Sequence, residues 1–283
     1  MDKEIEAITQ GVVIESRLIQ GECLAVMDKL IEEGVVVDAI ITDPPYGTTA
    51  CKWDTIIPFD EMWLRLNKLI KPNGAIVLFG SEPFSSLLRV SNLKNYKYDW
   101  VWKKTRSAGF IHAKNMPLKR TEIISIFSLG KMGHISQLGD NRMIYNPQGL
   151  VKVDKIHKRP NSFSSSGNTV IGQRPSHKKE FKVEFENYPI NIIDIPNEYN
   201  VNSFHPTQKP VALMEYLIKT YTNENELVLD FTMGSFTTAI ACLNTKRNFI
   251  GIELDDKYFN IGTDRVGEHI KTLDYTPNIR INE

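Results

Sequence analysis

The sequence predicts an α/β protein built on a mostly parallel, doubly wound sheet. Two observations carry this. Short β-branched apolar runs alternate with segments of helical spacing in the order βαβαβ, then an irregular stretch, then αβαβα. Three of the runs end in a carboxylate (Asp43, Asp230 and Glu253), and strand ends in open α/β sheets face the crevice where ligands bind.

The elements follow in order. Val12 to Ile19 alternates as a strand, and a helix with Leu24, Met27, Leu30 and Ile31 on one face ends near Gly34. Val35 to Thr42 is short, apolar and β-branched, as a strand buried on both faces should be. Phe59 to Ile70 has helical spacing and closes at a Lys71-Pro72-Asn73-Gly74 turn. Ala75 to Phe79 is a buried strand, Glu82 to Leu93 a helix, and Tyr98 to Lys104 and Glu122 to Leu129 are strands joined by a basic loop. Residues 130–204 are rich in Asn, Ser, Gly, Pro and Lys; they read as an irregular insertion with a few short strands, such as Tyr188 to Ile195. Pro210 suits the first turn of a helix with Val211, Met214, Leu217, Ile218 and Tyr221 on its apolar face. A strand over Leu227 to Asp230, a small-residue loop, a helix through Ala241, a strand over Asn248 to Glu253 and a helix capped by Asp255 and ending near Ile270 complete the pattern. The implied organisation is two halves of one domain, 1–129 and 205–283, around an insertion at 130–204.

With 283 residues, 41% hydrophobic and 24% charged, the chain can bury a sizeable core. Its formal net charge is zero, so the total gives no sign of a polyanionic partner. The distribution does: between Lys94 and Lys182 basic residues outnumber acidic ones, which suits either a nucleic-acid footprint or a solvated polar insertion. Cys23, Cys51 and Cys242 are far apart and lack metal-ligand spacing, so reduced thiols of a cytoplasmic protein are expected and no metal site is. The N-terminus shows no signal-peptide core, and no apolar run is long enough to span a membrane.

Asp43-Pro44-Pro45-Tyr46 is the most informative segment. Two prolines lock the backbone and remove two N–H donors. What remains is a rigid loop of acceptors, the Asp43 carboxylate and the Pro44 carbonyl, beside an aromatic ring. It suits a flat molecule with an exocyclic amine, such as a nucleobase. A second site is written in Leu229-Asp230-Phe231-Thr232-Met233-Gly234-Ser235-Phe236-Thr237-Thr238. Strand, turn and helix start there present N–H and hydroxyl groups suited to a carboxylate-bearing ligand, while Asp230 can bind an ammonium or organise the loop. Glu253 ends the next strand, where an acid takes ribose hydroxyls. His205-Pro206-Thr207-Gln208-Lys209-Pro210 leads into the neighbouring helix, with Thr207 and Lys209 as donors.

Together and in this order, DPPY, HPTQKP and LDFTMGSFTT followed by GIEL strongly resemble the β-class amino-methyltransferases of DNA, which use S-adenosylmethionine. The resemblance implies a Rossmann-like class I methyltransferase fold with a seven-stranded sheet, circularly permuted, with a target-recognition insertion. It implies that Asp43, Pro44, Pro45 and Tyr46 form the catalytic pocket for a flipped base, Asp43 also touching the cofactor. Glu22 and Cys23 would form the adenine corner, with Glu22 where the family usually writes Asp. Thr207, Lys209 and Pro210 would close on the cofactor's carboxylate side. Asp230, Thr232, Gly234, Ser235, Phe236, Thr237 and Thr238 would surround its methionine end, and Glu253 and Leu254 its ribose. Phe231-Thr232 and Phe236 depart from the pattern. Phe236 stands where the family usually has a second glycine, so its ring should alter cofactor affinity unless it points into the helix–sheet contact. Lys103, Lys104, Lys119 and Arg120 are the candidate phosphate contacts on double-stranded DNA. Many relatives dimerise and a restriction enzyme can accompany them, but no residue pattern here specifies either.

Asp at the first motif position usually accompanies adenine N6 in this family, and Ser cytosine N4. Adenine is therefore the expected target. The rivals are cytosine N4 on the same fold, a DNA-binding subunit whose cofactor site is impaired at Phe236, and an RNA or protein methyltransferase. A nicotinamide dehydrogenase is disfavoured by the missing GxGxxG.

Overall fold

Strand β1 (Ser16–Gln20) leads into α1 (Cys23–Glu32), whose free N-terminal N–H groups at Leu24 and Ala25 are taken by the Glu22 carboxylate. Then come β2 (Val37–Thr42), α2 (Phe59–Leu69), β3 (Ile70–Gly80), α3 (Phe84–Ser91), β4 (Tyr96–Ala108), β5 (Lys119–Phe127) and the single turn α4 (Ile135–Leu138). After β6 (Val151–Lys158), β7 (Glu180–Glu186) and β8 (Ile192–Ile193), the chain closes with α5 (Val211–Tyr221), β9 (Leu227–Asp230), α6 (Thr237–Asn244), β10 (Asn248–Glu253), α7 (Asp256–Ile270) and β11 (Ile279–Asn282). This is a computed structural model, and it describes residues 15–48, 54–158, 180–197 and 208–282.

The main sheet has the order β11-β1-β10-β9-β2-β3-β5-β4-β8. All its neighbours are parallel except β5, which runs antiparallel to both β3 and β4. The expected seven strands are β1 to β5, β9 and β10; short β8 and β11 bring the sheet to nine, one at each edge. Helices α1, α2 and α3 cover one face, against Val37, Ile40, Ile76 and Leu78, and α5, α6 and α7 cover the other, against Ala39, Ile41, Val77 and Phe79. All six residues of β2 are buried because both faces are covered.

The Lys71–Gly74 turn signal corresponds to an interruption inside β3. Pairing with β2 holds at Val37–Ile70, breaks, and resumes at Ala39–Ala75. Buried Asp38 explains the interruption's shape: Lys71 pairs with one oxygen and the Leu227 N–H donates to the other at 2.9 Å. One carboxylate thus ties the starts of β3 and β9 together.

The chain divides into two compact units, residues 1–146 with 191–283, and residues 147–190. The second is narrower than the 130–204 insertion read from composition. Residues 130–146 belong to the first unit because Met143 is buried in the core and the Asn146 N–H donates to the Thr220 carbonyl at 2.7 Å. The second unit holds an antiparallel hairpin of β6 and β7, with Lys155–Glu186 and Lys182–Asp154 ion pairs at 2.8 and 2.9 Å. The strand expected over Tyr188 to Ile195 shrinks to two residues, Ile192 and Ile193, paired with β4 in the first unit.

Candidate active site at the β2–β9 crevice

Strands β2 and β9 are neighbours, Ile40 lying opposite Leu229, yet the chain leaves them in opposite lateral directions. Their carboxyl ends therefore open a crevice at the point where strand order reverses, the place such sheets bind ligands. A cavity of about 590 Å³ lies there. Its lining includes Asp43, Pro44, Pro45 and Tyr46 after β2, and Asp230, Thr232, Gly234, Ser235, Thr237 and Thr238 after β9. Glu22, Cys23, Glu253, Leu254 and Lys209 line it as well. The sequence-predicted catalytic and cofactor residues thus converge on one space, with three exceptions. Thr207 lies outside the described residues; Pro210 is buried ahead of α5 and does not line the cavity; Phe236 is treated below.

The Asp43 loop is held by a residue that sequence reading missed. Asp54 accepts from the Tyr46 and Gly47 N–H groups at 2.8 and 2.9 Å and from the Thr48 N–H at 2.9 Å. Three bonds on one carboxylate make the loop rigid beyond what its prolines achieve. From the β9 side, the Thr232 hydroxyl donates to the Asp43 carbonyl at 3.2 Å.

A buried charge network surrounds the Asp43 carboxyl. Tyr46 donates to one oxygen and the Lys209 ammonium pairs with the other. Glu122 on β5, 5% exposed, is the second unforeseen residue. It pairs with Lys209 at 3.1 Å, pairs with Lys104, and lies 2.9 Å from the Tyr46 hydroxyl. Lys209 also sits 5.0 Å over the Phe79 ring. Burial raises the Asp43 pKa, outweighing the pull of Lys209, and the Glu122 charge adds to the rise. Burial also opposes ionisation of Glu122, but Lys209 and Lys104 outweigh it and bring that carboxyl down to about 2. For Lys209 burial favours the neutral amine; Asp43 and Glu122 reverse this and raise its pKa. The Tyr46 hydroxyl has one hydrogen and two carboxyl neighbours. Burial pushes the Asp43 pKa up, while Lys209 and Lys104 pull that of Glu122 down.

The β9 loop is organised from within. Asp230 accepts from Thr42 at 2.5 Å, from the Thr232 N–H at 3.1 Å and from Thr238. Burial lifts its pKa to about 6 against these donors. Of the two roles the sequence left open, organiser of the loop is the one this geometry serves. The Glu253 carboxylate accepts the Gly234 and Asp255 N–H groups at 2.8 and 2.9 Å, and the Gly21 N–H donates to the Glu253 carbonyl at 2.9 Å, joining the β1 and β10 ends. Burial raises the pKa of Glu253. Each of its oxygens keeps a second lone pair for a ligand hydroxyl.

Phe236 does not line the cavity. It is fully buried, its backbone is left-handed with φ 60°, and its ring meets Phe259 at 5.7 Å. Gly262 on α7 makes room for it: a Cβ there would lie 2.4 Å from the ring. The ring occupies the α6–α7 contact, which corrects its expected place beside the cofactor. Phe236→Gly should retain affinity for the cofactor that the resemblance implies within about threefold by calorimetry. It should also cost about 2–4 kcal/mol of stability, the loss of a buried ring less the relief of left-handed strain. A tenfold affinity change without a melting shift would contradict this placement.

The four phosphate candidates part company. Lys104 turns into the cavity onto Glu122. Lys103 pairs with Asp194 at 2.5 Å, Lys119 meets Ser81, and the Arg120 guanidinium braces the Lys104 and Thr105 carbonyls at 3.0 and 3.2 Å. No described helix is long and apolar enough to cross a membrane.

Residues 37–264 match a family described as DNA methylase. The chain is 42% identical to the putative methylase YubD of Escherichia coli K12 over 261 residues, covering 89% of this chain and 90% of that protein. It is 26% identical to the DNA adenine methyltransferase YhdJ of the same organism, over 88% of this chain and 82% of the relative. Among solved structures it is similar to the M1.HpyAVI–SAM complex, with TM-score 0.59 and 26% identity over 88% of this chain and 98% of that one. The cytosine-N4-specific PvuII DNA methyltransferase shares the fold, with TM-score 0.57 and 13% identity over 91% of this chain and 92% of that one.

Proposed function

Since the chain belongs to the N6/N4 DNA methylase family, whose members use S-adenosylmethionine, we propose that it methylates adenine N6 in a short duplex DNA sequence. The observation that carries the reading is a rigid acceptor pair, the Asp43 carboxyl and the Pro44 carbonyl, in a cavity shared with the β9 loop. The cavity's own chemistry fits the cofactor. Glu253 suits ribose hydroxyls, Glu22 and Cys23 the adenine end, and the turn at Gly234 and Ser235 with the Thr237 and Thr238 hydroxyls the methionine end. Lys209, expected on the carboxylate side, pairs instead with Asp43 and Glu122. When bound, S-adenosylmethionine supplies an activated methyl on a cationic sulfonium.

The protein's part is placement and charge. A base cannot react within the duplex, so it is flipped out at a cost of a few kcal/mol. An aromatic contact such as Tyr46 returns about 1–3 kcal/mol per base. Two acceptors at the amine favour a more tetrahedral nitrogen and free its lone pair. Tyr46 and Lys209 each occupy one Asp43 oxygen, and each oxygen keeps a second lone pair for the amine; Glu122 holds Lys209 nearby. Transfer of the methyl would break its bond to sulfur, leave a neutral thioether and make the amine cationic. The Asp43 carboxylate stabilises that charge, and a pKa raised by burial equips it to receive the departing proton. In-line positioning supplies the remainder.

Asp43 at the first motif position favours adenine. The test is to incubate unmethylated DNA with the protein and labelled S-adenosylmethionine, digest to nucleosides and identify the product by mass. N6-methyl-2′-deoxyadenosine is expected; N4-methyl-2′-deoxycytidine would move the reading to cytosine, and no labelled nucleoside would end it.

A further inference from the structure

The loop between β4 and β5 places three large apolar side chains in water. Phe110, Ile111 and Met116 are 69, 88 and 59% exposed. They stand on a formed tip. Gly109, left-handed with φ +87°, enters a single tight turn, and the His112, Ala113, Asn115 and Met116 N–H groups all find carbonyls within residues 109–112 at 2.8–3.1 Å. The shaft's own sequence carries one sign of charge, with Lys103 and Lys104 paired to Asp194 and Glu122 and the other cations outside those two pairs. From Lys103 to Thr121 there are six Lys and Arg residues and no Asp or Glu. The shaft starts at the proposed base pocket. Glu122 and Lys104 line the cavity, and β5 pairs onward from Trp102–Glu122 to Ala108–Lys119. At roughly 3.3 Å per residue, the tip begins about 10 Å beyond the cavity rim. Arg120 braces the β4 backbone between rim and tip.

We infer that this tip is an apolar wedge that enters the base stack of duplex DNA beside the target base and holds open the gap left by flipping. The inference rests on the methylase reading above. A polyanion explains the one-sided charge, and the interior of a base stack is the apolar environment that such a partner offers. A second copy of the chain would bring like charges together.

The test uses the full-length protein with both Phe110 and Ile111 replaced by Ser. Its substrates are duplexes carrying the site found by modification-detecting sequencing, one intact and one with the target base opposite an abasic position. Removing the wedge should lower kcat/KM at least tenfold on the intact duplex and less than threefold on the abasic one, where unstacking is cheap. Cofactor affinity by calorimetry should match wild type, and Phe110→Trp should keep at least half the rate. Equal losses on both duplexes, or none on either, overturn the wedge. So does a change in sedimentation from dimer to monomer with methylation intact, which would make the tip a self-contact. If wild type methylates neither duplex, it is the methylase reading that fails, and the wedge falls with it.

Discussion

Asp43→Ala should lower kcat for methyl transfer by at least about 10³-fold while S-adenosylmethionine still binds. In energy this is about 4 kcal/mol of transition-state stabilisation. The substitution removes both the acceptor that holds the amine and the negative charge beside the cationic nitrogen. The variant should lose stability, because Lys209 keeps only Glu122 at 3.1 Å, but it should still fold, with the loop backbone clamped by Asp54. Asp43→Asn keeps a carbonyl acceptor and loses the charge, so it should fall between, near 10²-fold. The measurement is single-turnover methylation beside calorimetric cofactor titration. Turnover within tenfold of wild type for the Ala variant would refute the role assigned to Asp43.

The second large effect is on stability. Glu122→Ala should cost about 3–5 kcal/mol, because it leaves a buried ammonium at Lys209 with one carboxyl partner instead of two and strips Tyr46 of an acceptor. For a chain of this size that is a fall in melting temperature on the order of 10 °C. Most of the loss belongs to the Lys209 side. Lys104 is 32% exposed, so its pair with Glu122 is screened by water and contributes less. Glu122→Gln should lose less than Glu122→Ala, since the amide oxygen still accepts from Tyr46. A double-mutant cycle of Glu122→Gln with Lys104→Met separates the two pairs. A loss under about 1 kcal/mol for Glu122→Ala would show that the network is solvated rather than buried.

What the sequence made legible was local. Asp43-Pro44-Pro45-Tyr46 announces itself because proline chemistry fixes a loop without reference to anything distant. Glu253 was found by its spacing after Asp230 within one βαβ unit. Glu122 and Asp54 were not, because their importance comes from pairing across the sheet and back onto a loop, and neither sits in a recognisable string. Lys104 looked like a surface cation for the same reason; only its turn onto Glu122 makes it a pocket residue. The β6–β7 hairpin carried a signal that composition hid: Val151, Val153 and Phe181, Val183, Phe185 alternate with polar residues at period two. Ile279 and Ile281 alternate likewise in β11. Phe236 misled because a residue type was read as a departure from a pattern, while the space that accommodates it, Gly262, lies on another helix.

The joint between β2 and β9 also governs when this protein can fold. Thr42 and Asp230, bonded across it, are 188 residues apart in the chain. The ribosome delivers the amino-terminal strands long before the partner that completes the sheet's centre. At about 5–20 residues per second, a strand destined for full burial waits at least several seconds with one edge unpaired. An unpaired apolar edge recruits other chains. Expression at lowered temperature or with added chaperone should therefore raise the soluble yield more than any change to the finished surface.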